Sequence, residues 1–261
     1  MNEIIVYGQN YKLSKGIEVF IQSAKKTGSA VTVIGYGLEE KVINYIKSNN
    51  CNYIDTVSFA IKNRLSALTA KMSPYTLKVV LAYVYLKTEC KADNVYICDF
   101  TDIYFQKNIF NFVKDKPVVF EEGRVVKECP VNTEWIQICY DKQTLDFLKD
   151  KLIINGGGIL GSTKECTALL EEMCKEIPSI NAKTNNYTNI DQAILNKIIH
   201  YNSDKYYIES YNVVVNMAHY NNKLNIHVNN NEILADNATP AVLHQYECNK
   251  EVEKYIFNTI Q

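Results

Sequence analysis

Apolar and polar positions alternate with two different periods along the first half of the chain. Short β-branched or apolar runs at residues 4–7 and 31–34 predict strands, whereas amphipathic patterns at residues 13–26 and 38–47 predict helices. Strands that alternate with helices in this way are typical of α/β folds, in which a sheet lies between layers of helices. We therefore predict an α/β protein with a mostly parallel central sheet and helices on both faces.

A helix with a clear start follows at Ser73. Ser73 can cap this helix and Pro74 suits its first turn, and an apolar stripe then continues to about residue 89. The next apolar run, at residues 95–98, predicts a buried strand. Further strands are predicted at 117–120 and 152–154, further helices at 164–177 and 190–200, and β-type runs around Val213, Ile226 and Ile233, with a turn at 229–231.

Composition and charge narrow the class of protein. The chain has 261 residues, of which 47% are hydrophobic, as in an ordinary globular protein. Its 28 Lys and Arg against 29 Asp and Glu give no electrostatic reason to expect a nucleic-acid partner. The eight cysteines show no Cys-x-x-Cys spacing, which favours reduced core residues over a disulfide framework.

The chain shows no sequence signal for export, membrane insertion or division into domains. The first residues do not resemble a secretory signal, and no apolar run reaches the roughly 18 residues of a membrane span. We therefore predict a cytoplasmic protein without a membrane span. Because no Pro-rich or Gly/Ser-rich segment divides the chain, residues 1–261 are predicted to form one domain.

Two carboxylates follow directly after the strand predicted at residues 95–98. Asp99 and Asp102 would stand at the carboxyl end of a parallel strand, where open α/β sheets bind ligands. Two carboxylates in a partly dehydrated pocket are costly to hold together unless a cation neutralises them, and Mg²⁺ and Mn²⁺ prefer such oxygen ligands. The pair therefore indicates a divalent-metal site, with capping of the following turn as the alternative role.

Four of the ten glycines lie within residues 156–161, directly after Asn155. Such clustering indicates a backbone that turns tightly or approaches a ligand closely. The segment lacks the Gly-Lys-Ser/Thr ending of a P-loop, and its Gly-x-Gly-x-x-Gly spacing follows no opening βαβ unit, which argues against a dinucleotide site. A ligand-binding segment and a glycine-rich turn between two strands both remain open.

Two further positions carry candidate chemistry. Asp191 and Gln192 follow Asn189 at the start of an amphipathic helix, where Asp191 either contacts a ligand or stabilises the helix N-terminus by its charge. His244 follows an apolar run, so its ring either ends a strand beside the acidic pair or is structural. The remaining histidines have no such context and are assigned no role: His200, His219 and His227.

Taken in order, these segments resemble nucleotide-sugar glycosyltransferases of the GT-A fold, in which one Rossmann-like domain binds the donor at the carboxyl ends of its strands. The Asp-x-x-Asp of Asp99 and Asp102 resembles the metal motif in the glycosyltransferase domains of procollagen-modifying enzymes, where two aspartates and a distant His bind Mn²⁺. Residues 155–158 and 191–193 resemble the Asn-x-Gly-Gly and Asp-Gln segments of that group, and His244 matches its metal-binding His.

This resemblance implies a role for each matched residue. The implied metal ligands are Asp99, Asp102 and His244, and Asp191 is the implied catalytic residue, placed at the sugar or the incoming hydroxyl. Contacts to the donor are implied for Tyr7, Gly8, Lys78, Phe100, Thr101, Asn155, Gly156, Gly157, Gln192 and Lys250. Lys250 is spaced from His244 like the diphosphate-binding lysine of glycogenin-like transferases.

The chain departs from these family patterns at two positions. Thr101 stands where the procollagen group has an aromatic residue for stacking on uracil, and the aromatic of this chain, Phe100, comes one place earlier. Glu247 replaces a glycine of the glycogenin-like element.

The activity that the resemblance implies is metal-dependent transfer of a sugar. Mn²⁺ or Mg²⁺ is the implied cofactor, a UDP-sugar or related nucleotide-sugar the donor, and a hydroxyl of a glycan or protein the acceptor. Residues 1–110 are the predicted nucleotide-binding half, and residues 111–261 the predicted acceptor half.

Two other classes of protein match parts of the pattern. A nucleotidyltransferase on a similar fold also uses acidic residues and a divalent ion, but the chain has no Gly-rich phosphate loop after its first strand. A non-catalytic carbohydrate-binding module would use the 19 tyrosines for stacking, but sugar binding alone needs no diphosphate-neutralising cation.

Overall fold

Alternating strands and helices make up the computed structural model, which describes residues 1–65, 72–184, 190–220 and 222–260. The strands are β1 (Asn2–Gln9), β2 (Ala30–Tyr36), β3 (Asn52–Asp55), β4 (Asn94–Cys98), β5 (Ile103–Phe105), β6 (Val118–Val125), β7 (Leu152–Ser162), β8 (Tyr207–Glu209), β9 (Val214–Asn216), β10 (Ile226–Asn229), β11 (Glu232–Ala235) and β12 (Val242–His244). The helices are α1 (Lys15–Lys26), α2 (Glu40–Ser48), α3 (Thr56–Lys62), α4 (Pro74–Thr88), α5 (Pro130–Cys139), α6 (Lys142–Leu148), α7 (Thr163–Thr184), α8 (Ile190–Tyr201), α9 (Met217–Tyr220) and α10 (Lys250–Thr259). None of these helices has both the length and the apolar character needed to cross a membrane.

A seven-stranded sheet lies at the centre, in the order β3-β2-β1-β4-β7-β6-β8. The pairs β1–β2, β1–β4, β2–β3 and β6–β8 are parallel, whereas β7 is antiparallel to both β4 and β6. Because β7 runs in the opposite direction, its first half lies at the edge of the sheet where β1 and β4 end. The predicted α/β fold with a mostly parallel sheet is confirmed.

Successive side chains of the central strands enter two separate cores. Tyr96 and Cys98 of β4 pack with apolar residues of α1 and α2, while Val95 and Ile97 pack on the other face with residues of α4, α7 and α8. Side chains of a strand point alternately to the two faces, so a strand covered on both faces is apolar throughout. This double coverage explains the unbroken apolar run at residues 95–98.

Helix α4 begins where the sequence predicts. The Ser73 hydroxyl accepts a hydrogen bond from Thr76 N at 3.3 Å, and Pro74 occupies the first turn. An N-cap of this kind satisfies one of the unpaired amides of the first turn. The start of α4 fixes the position of Lys78, one turn further on, at the end of β4.

A three-stranded sheet brings a distant segment to the end of β4. β12 lies between β5 and β9, antiparallel to β5 and parallel to β9. His244 pairs in register with Ile103, and Gln245 N donates a hydrogen bond to Asp102 O at 2.7 Å. His244 therefore ends a strand beside the acidic pair, which is one of the two positions that the sequence left open for it.

The structure differs from the sequence prediction at several elements. The glycine-rich segment is not a turn, because residues 156–161 lie within β7 and none of them has a positive φ. The strand predicted at 117–120 continues to Val125 through Glu121 and Glu122, two buried carboxylates that interrupt the apolar pattern. The sequence analysis did not predict helix α5, because this helix begins at Pro130 without a capping side chain that would mark its start. Helices α6 and α10 were not predicted either.

Candidate active site

Two clefts open side by side at the edge of the sheet where β1 and β4 end, the position at which open α/β sheets bind ligands. The cleft beside β1, of about 530 Å³, is lined by β1, the loop that follows it, and the segment after β4; we call it the β1 cleft. The other, the β7 cleft, has about 470 Å³ and is lined by β6, β7, α5 and α8. Both are lined by Tyr75, Lys78, Asp99 and Gln245, which mark the junction of the two clefts.

Three side chains that could hold a metal ion stand together at this junction, and we call them the metal group. Asp99 follows β4, Asp102 lies in the turn before β5, and His244 ends β12; one ligand atom from each lies within 4.8 Å of the others. His244 Nε2 is 3.3 Å from Asp99 Oδ2 and 3.4 Å from Asp102 Oδ2. The sequence prediction that these three residues lie together is met by the geometry.

The unsatisfied atoms of this group fit a divalent cation. Asp102 Oδ1 and His244 Nε2 are buried and have no hydrogen-bond partner among the described residues. Buried polar atoms without a partner are rare in folded proteins and call for an explanation such as a bound ion or water. Carboxylate oxygens and an imidazole nitrogen are ligands that Mn²⁺ accepts, and a cation among them would satisfy both atoms.

Lys78 supplies positive charge to the same junction. Its Nζ donates to Asp99 Oδ1 at 2.9 Å and to Gly156 O at 3.1 Å, and lies 3.8 Å from Asp191 Oδ2. Burial lowers the pKa of Lys78, but Asp99 and Asp191 more than offset this effect and raise it above its usual range. Lys78 is therefore charged, which is consistent with its predicted place at the donor.

Opposing effects act on the pKa values of Asp99, His244 and Asp191. Burial raises the pKa of Asp99, but Lys78 and His244 outweigh this and hold it well below its usual range. Burial lowers the pKa of His244, whereas Asp102 and Asp99 raise it to about 10. Burial also raises the pKa of Asp191, and Lys78 opposes that rise.

The glycines of β7 leave room for the metal group. A Cβ on Gly157 would stand 2.5 Å from Asp99 Oδ2 and 2.7 Å from His244 Cε1. Asp99 N also donates to Gly157 O at 3.3 Å, and Cys98 pairs in register with Gly158. The glycine-rich segment is therefore a place of close approach, between the strand and the side chains of the junction.

A network of buried amides and one carboxylate orders the floor of the β7 cleft. Asn155 Nδ2 donates to Glu122 Oε1 at 2.7 Å, and Gln192 Nε2 donates to Glu122 Oε1 at 3.2 Å and to Asn132 Oδ1 at 2.8 Å. Gln192 Oε1 accepts from Gly156 N at 2.9 Å. Asn155 and Gln192 are thus held in fixed orientations at the predicted sugar-binding segment.

Asn196 holds the start of this network in place. Ile154 pairs with Glu121 of β6, between two shifts in the register of β6 and β7. Asn196 Oδ1 accepts from Ile154 N at 2.8 Å, and its Nδ2 donates to Ile154 O at 2.9 Å. The Asn196 side chain thereby satisfies both backbone polar groups of Ile154, directly before Asn155. Asn189, the residue before the predicted helix start, lies outside the described residues.

The aromatic ring available for stacking in the β1 cleft is not the one that the sequence predicts. Phe100 lines the cleft, but it is only 2% exposed and packs edge-on against Phe20 at 5.2 Å, so its face is not free to stack on a base. Tyr11 packs on Phe100 at 6.1 Å and hydrogen-bonds Thr101. Gly8 leaves room for both rings, since a Cβ there would stand 3.1 Å from Phe100 and 3.2 Å from Tyr11. Tyr11, which the sequence analysis did not select, is the better placed ring.

Of the remaining residues, some line the clefts and one lies away from both. Tyr7 lines the β1 cleft, and its hydroxyl donates to Gln9 Oε1 at 2.8 Å. Lys250 does not line either cleft: its exposed ammonium pairs with Glu253 at 2.8 Å on α10. His219, assigned no role from the sequence, lines the β7 cleft with Arg124. No local sequence pattern identified His219 or Arg124 as a candidate site residue.

Comparison with known proteins identifies the fold. No protein-family model matches the chain, and no curated protein matches it. Among solved structures, it is similar to a crystal structure of LgtC, a GT-A glycosyltransferase, determined for an active-site mutant in which glutamine is replaced by glutamate. The TM-score is 0.60 over 100% of this chain and 95% of that chain, with 12% sequence identity. At this identity the likeness shows a shared GT-A fold, and the resemblance to procollagen-modifying and glycogenin-like enzymes stays a prediction.

Proposed function

We propose that the protein is a metal-dependent glycosyltransferase, which transfers a sugar from a UDP-sugar or related nucleotide-sugar to a hydroxyl group of a glycan or protein. The observation that carries this proposal is the group of Asp99, Asp102 and His244 at the junction of two clefts on a GT-A fold. Mn²⁺ or Mg²⁺ held there would neutralise the charge that grows on a departing diphosphate.

The β1 cleft is the proposed site of the nucleoside. Its amide and hydroxyl side chains suit the edges of a base, and the Tyr11 ring provides a surface for stacking. The residues that line it come from the first 102 positions, with Gln245 as the exception. This distribution supports the proposal that residues 1–110 form the nucleotide-binding half and residues 111–261 the acceptor half.

The β7 cleft is the proposed site of the transferred sugar. In the reaction, the bond from the anomeric carbon to the diphosphate oxygen breaks, the bond to the acceptor oxygen forms, and the hydroxyl proton leaves with a base or the diphosphate. Lys78 adds positive charge at the phosphates, and buried Asp191 lies at the sugar as the catalytic residue. Asn155, Gly157 and Gln192 shape the pocket around it.

Calorimetric titration of UDP, GDP and a panel of UDP-sugars tests this function. Each titration is made with Mn²⁺ and with chelator, and is followed by an assay for hydrolysis of whichever donor binds. We expect binding that depends on the cation and slow release of free sugar. The Asp102→Asn variant should lose both, because the cation loses one of its carboxylate ligands.

A matched control separates this effect from a general loss of negative charge. Asp150 is 60% exposed, pairs with Lys127 and lies away from both clefts, so Asp150→Asn should bind and hydrolyse the donor like the unaltered protein. Near-normal activity of Asp102→Asn would refute the metal site. Absence of nucleotide binding under every condition would refute the proposed function as a whole.

A further inference from the structure

One wall of the β7 cleft is formed by residues to which the donor site proposed above assigns no contact with the donor. It is formed by Glu122 and Arg124 on β6, Trp135 on α5 and His219 on α9. We call these four residues the far wall. Glu122 contacts the donor side through Asn155 and Gln192, whereas Arg124, Trp135 and His219 do not belong to the metal group.

Three polar groups of the far wall form a connected row. Glu122 is 4% exposed, and its Oε2 lies 3.0 Å from His219 Nε2. On the other side of the ring, His219 Nδ1 lies 3.2 Å from Arg124 Nη1. Because a guanidinium can only donate, His219 Nδ1 is the acceptor in this contact.

One oxygen of this row is left for a ligand. Glu122 Oε1 accepts two hydrogen bonds. His219 Nε2 is close to Oε2 but forms no hydrogen bond of regular geometry with it, and no other described residue donates to Oε2. A buried carboxylate oxygen in this state is costly unless a ligand hydroxyl or a water donates to it. The row therefore offers an acceptor at Glu122 and donors at Arg124, with opposite charges that balance.

An aromatic ring completes the wall. Trp135 lines the same cleft, with Pro130 and Val131 beside it. A sugar ring has hydroxyls that both donate and accept and an apolar face that packs on an aromatic ring. The single hydroxyl of a serine or threonine side chain would leave most of the row unpaired, which costs binding free energy. The cleft, at about 470 Å³, is of the size that holds a ligand larger than one monosaccharide.

We propose that the far wall binds the acceptor, and that this acceptor is the terminal sugar of a neutral glycan, stacked on Trp135 and hydrogen-bonded to Glu122 and Arg124. This inference rests on the proposed function, and it selects a glycan over a protein side chain as the acceptor class.

The chain provides its own reporter for this site. Trp135 is the single tryptophan among 261 residues, so fluorescence excited beyond the tyrosine band reports this wall alone. We expect lactose, maltose or cellobiose to change the Trp135 emission in a saturable manner, with or without nucleotide. Arg124→Gln should weaken that affinity about tenfold, which corresponds to about 1.4 kcal/mol.

Controls and parallel titrations separate the possible outcomes. Phe147→Ala removes a different exposed aromatic, on α6 and outside both clefts, and should leave the saccharide response unchanged. If Mn²⁺ and UDP bind but no disaccharide alters the emission, or if serine- and threonine-containing peptides alter it instead, the acceptor proposal is overturned while the transferase proposal stands. If saccharides bind and no nucleotide does, the far wall is a sugar site and the transferase proposal fails.

Discussion

Replacement of Gly157 by alanine tests whether β7 must pass this close to the metal group. Gly157 has an ordinary strand conformation, so an alanine there is not opposed by the backbone. The added Cβ would instead stand 2.5 Å from Asp99 Oδ2 and 2.7 Å from His244 Cε1. The third close atom is Asn155 Oδ1 at 2.8 Å, so an effect of the substitution reports a lack of space at the two ligands and at Asn155.

The magnitude follows from the size of the clash. Ordinary contacts begin at 3.4 Å, so the overlap is about 0.9 Å at Asp99 and 0.7 Å at His244. Metal sites tolerate deviations of only about 0.2 Å in ligand distance. We expect the Kd for Mn²⁺ to rise at least tenfold, about 1.4 kcal/mol, and overpacking to lower the free energy of unfolding by about 1–3 kcal/mol.

The assay is Mn²⁺ titration by electron paramagnetic resonance, together with urea unfolding of the metal-free protein. Gly161→Ala is the matched control, because it lies on the same strand and would contact Cys166 Sγ at 3.2 Å and Pro117 Cα at 3.3 Å, away from the ligands. It should alter stability without altering Mn²⁺ affinity. If Gly157→Ala binds Mn²⁺ as tightly as the unaltered protein, the assignment of β7 as a spatial limit on the metal group is wrong.

Three other substitutions test separate parts of the site. Lys78→Met leaves Asp99 and Asp191 without their buried cation, so the metal-free protein should lose about 3 kcal/mol of stability, part of which saturating Mn²⁺ restores in a thermal melt; no rescue would contradict metal binding beside Lys78. Tyr11→Ala should raise the Kd for UDP about tenfold through lost stacking while leaving Mn²⁺ affinity unchanged, and an unchanged Kd in calorimetry would remove Tyr11 from the nucleoside site. Asn196→Ala leaves the backbone of Ile154 unpaired and should cost about 2–4 kcal/mol in urea unfolding; a loss near zero would show that water replaces the side chain.

The parts of the fold that could be predicted are those determined by local pattern. The apolar run before Asp99 predicted β4, and Ser73 with Pro74 predicted the start of α4, because a strand covered on both faces and a capped helix each leave a local mark. The acidic pair and His244 could be selected for the same reason, since each follows an apolar run. Their meeting depends on β12 pairing with β5, which no local pattern specifies.

The remaining parts depend on contacts between distant residues. The glycines of β7 were open to interpretation as a turn, because the sequence does not show which side chains approach the strand. Phe100 is chemically suited to stacking, but Phe20 and Tyr11 enclose it. Arg124 and His219 lie 95 residues apart, and neither has a neighbour in sequence that points to a ligand.

The metal group joins two sheets of unequal size. Asp99 follows a strand in the middle of the seven-stranded sheet, whereas His244 lies on β12, a strand of three residues held between two others of the same length. β12 is short but buried throughout, since Val242 and Leu243 pack in two different apolar clusters. A cation held by all three ligands would therefore tie the small sheet to the central one, and any motion that separates His244 from Asp99 would weaken its binding.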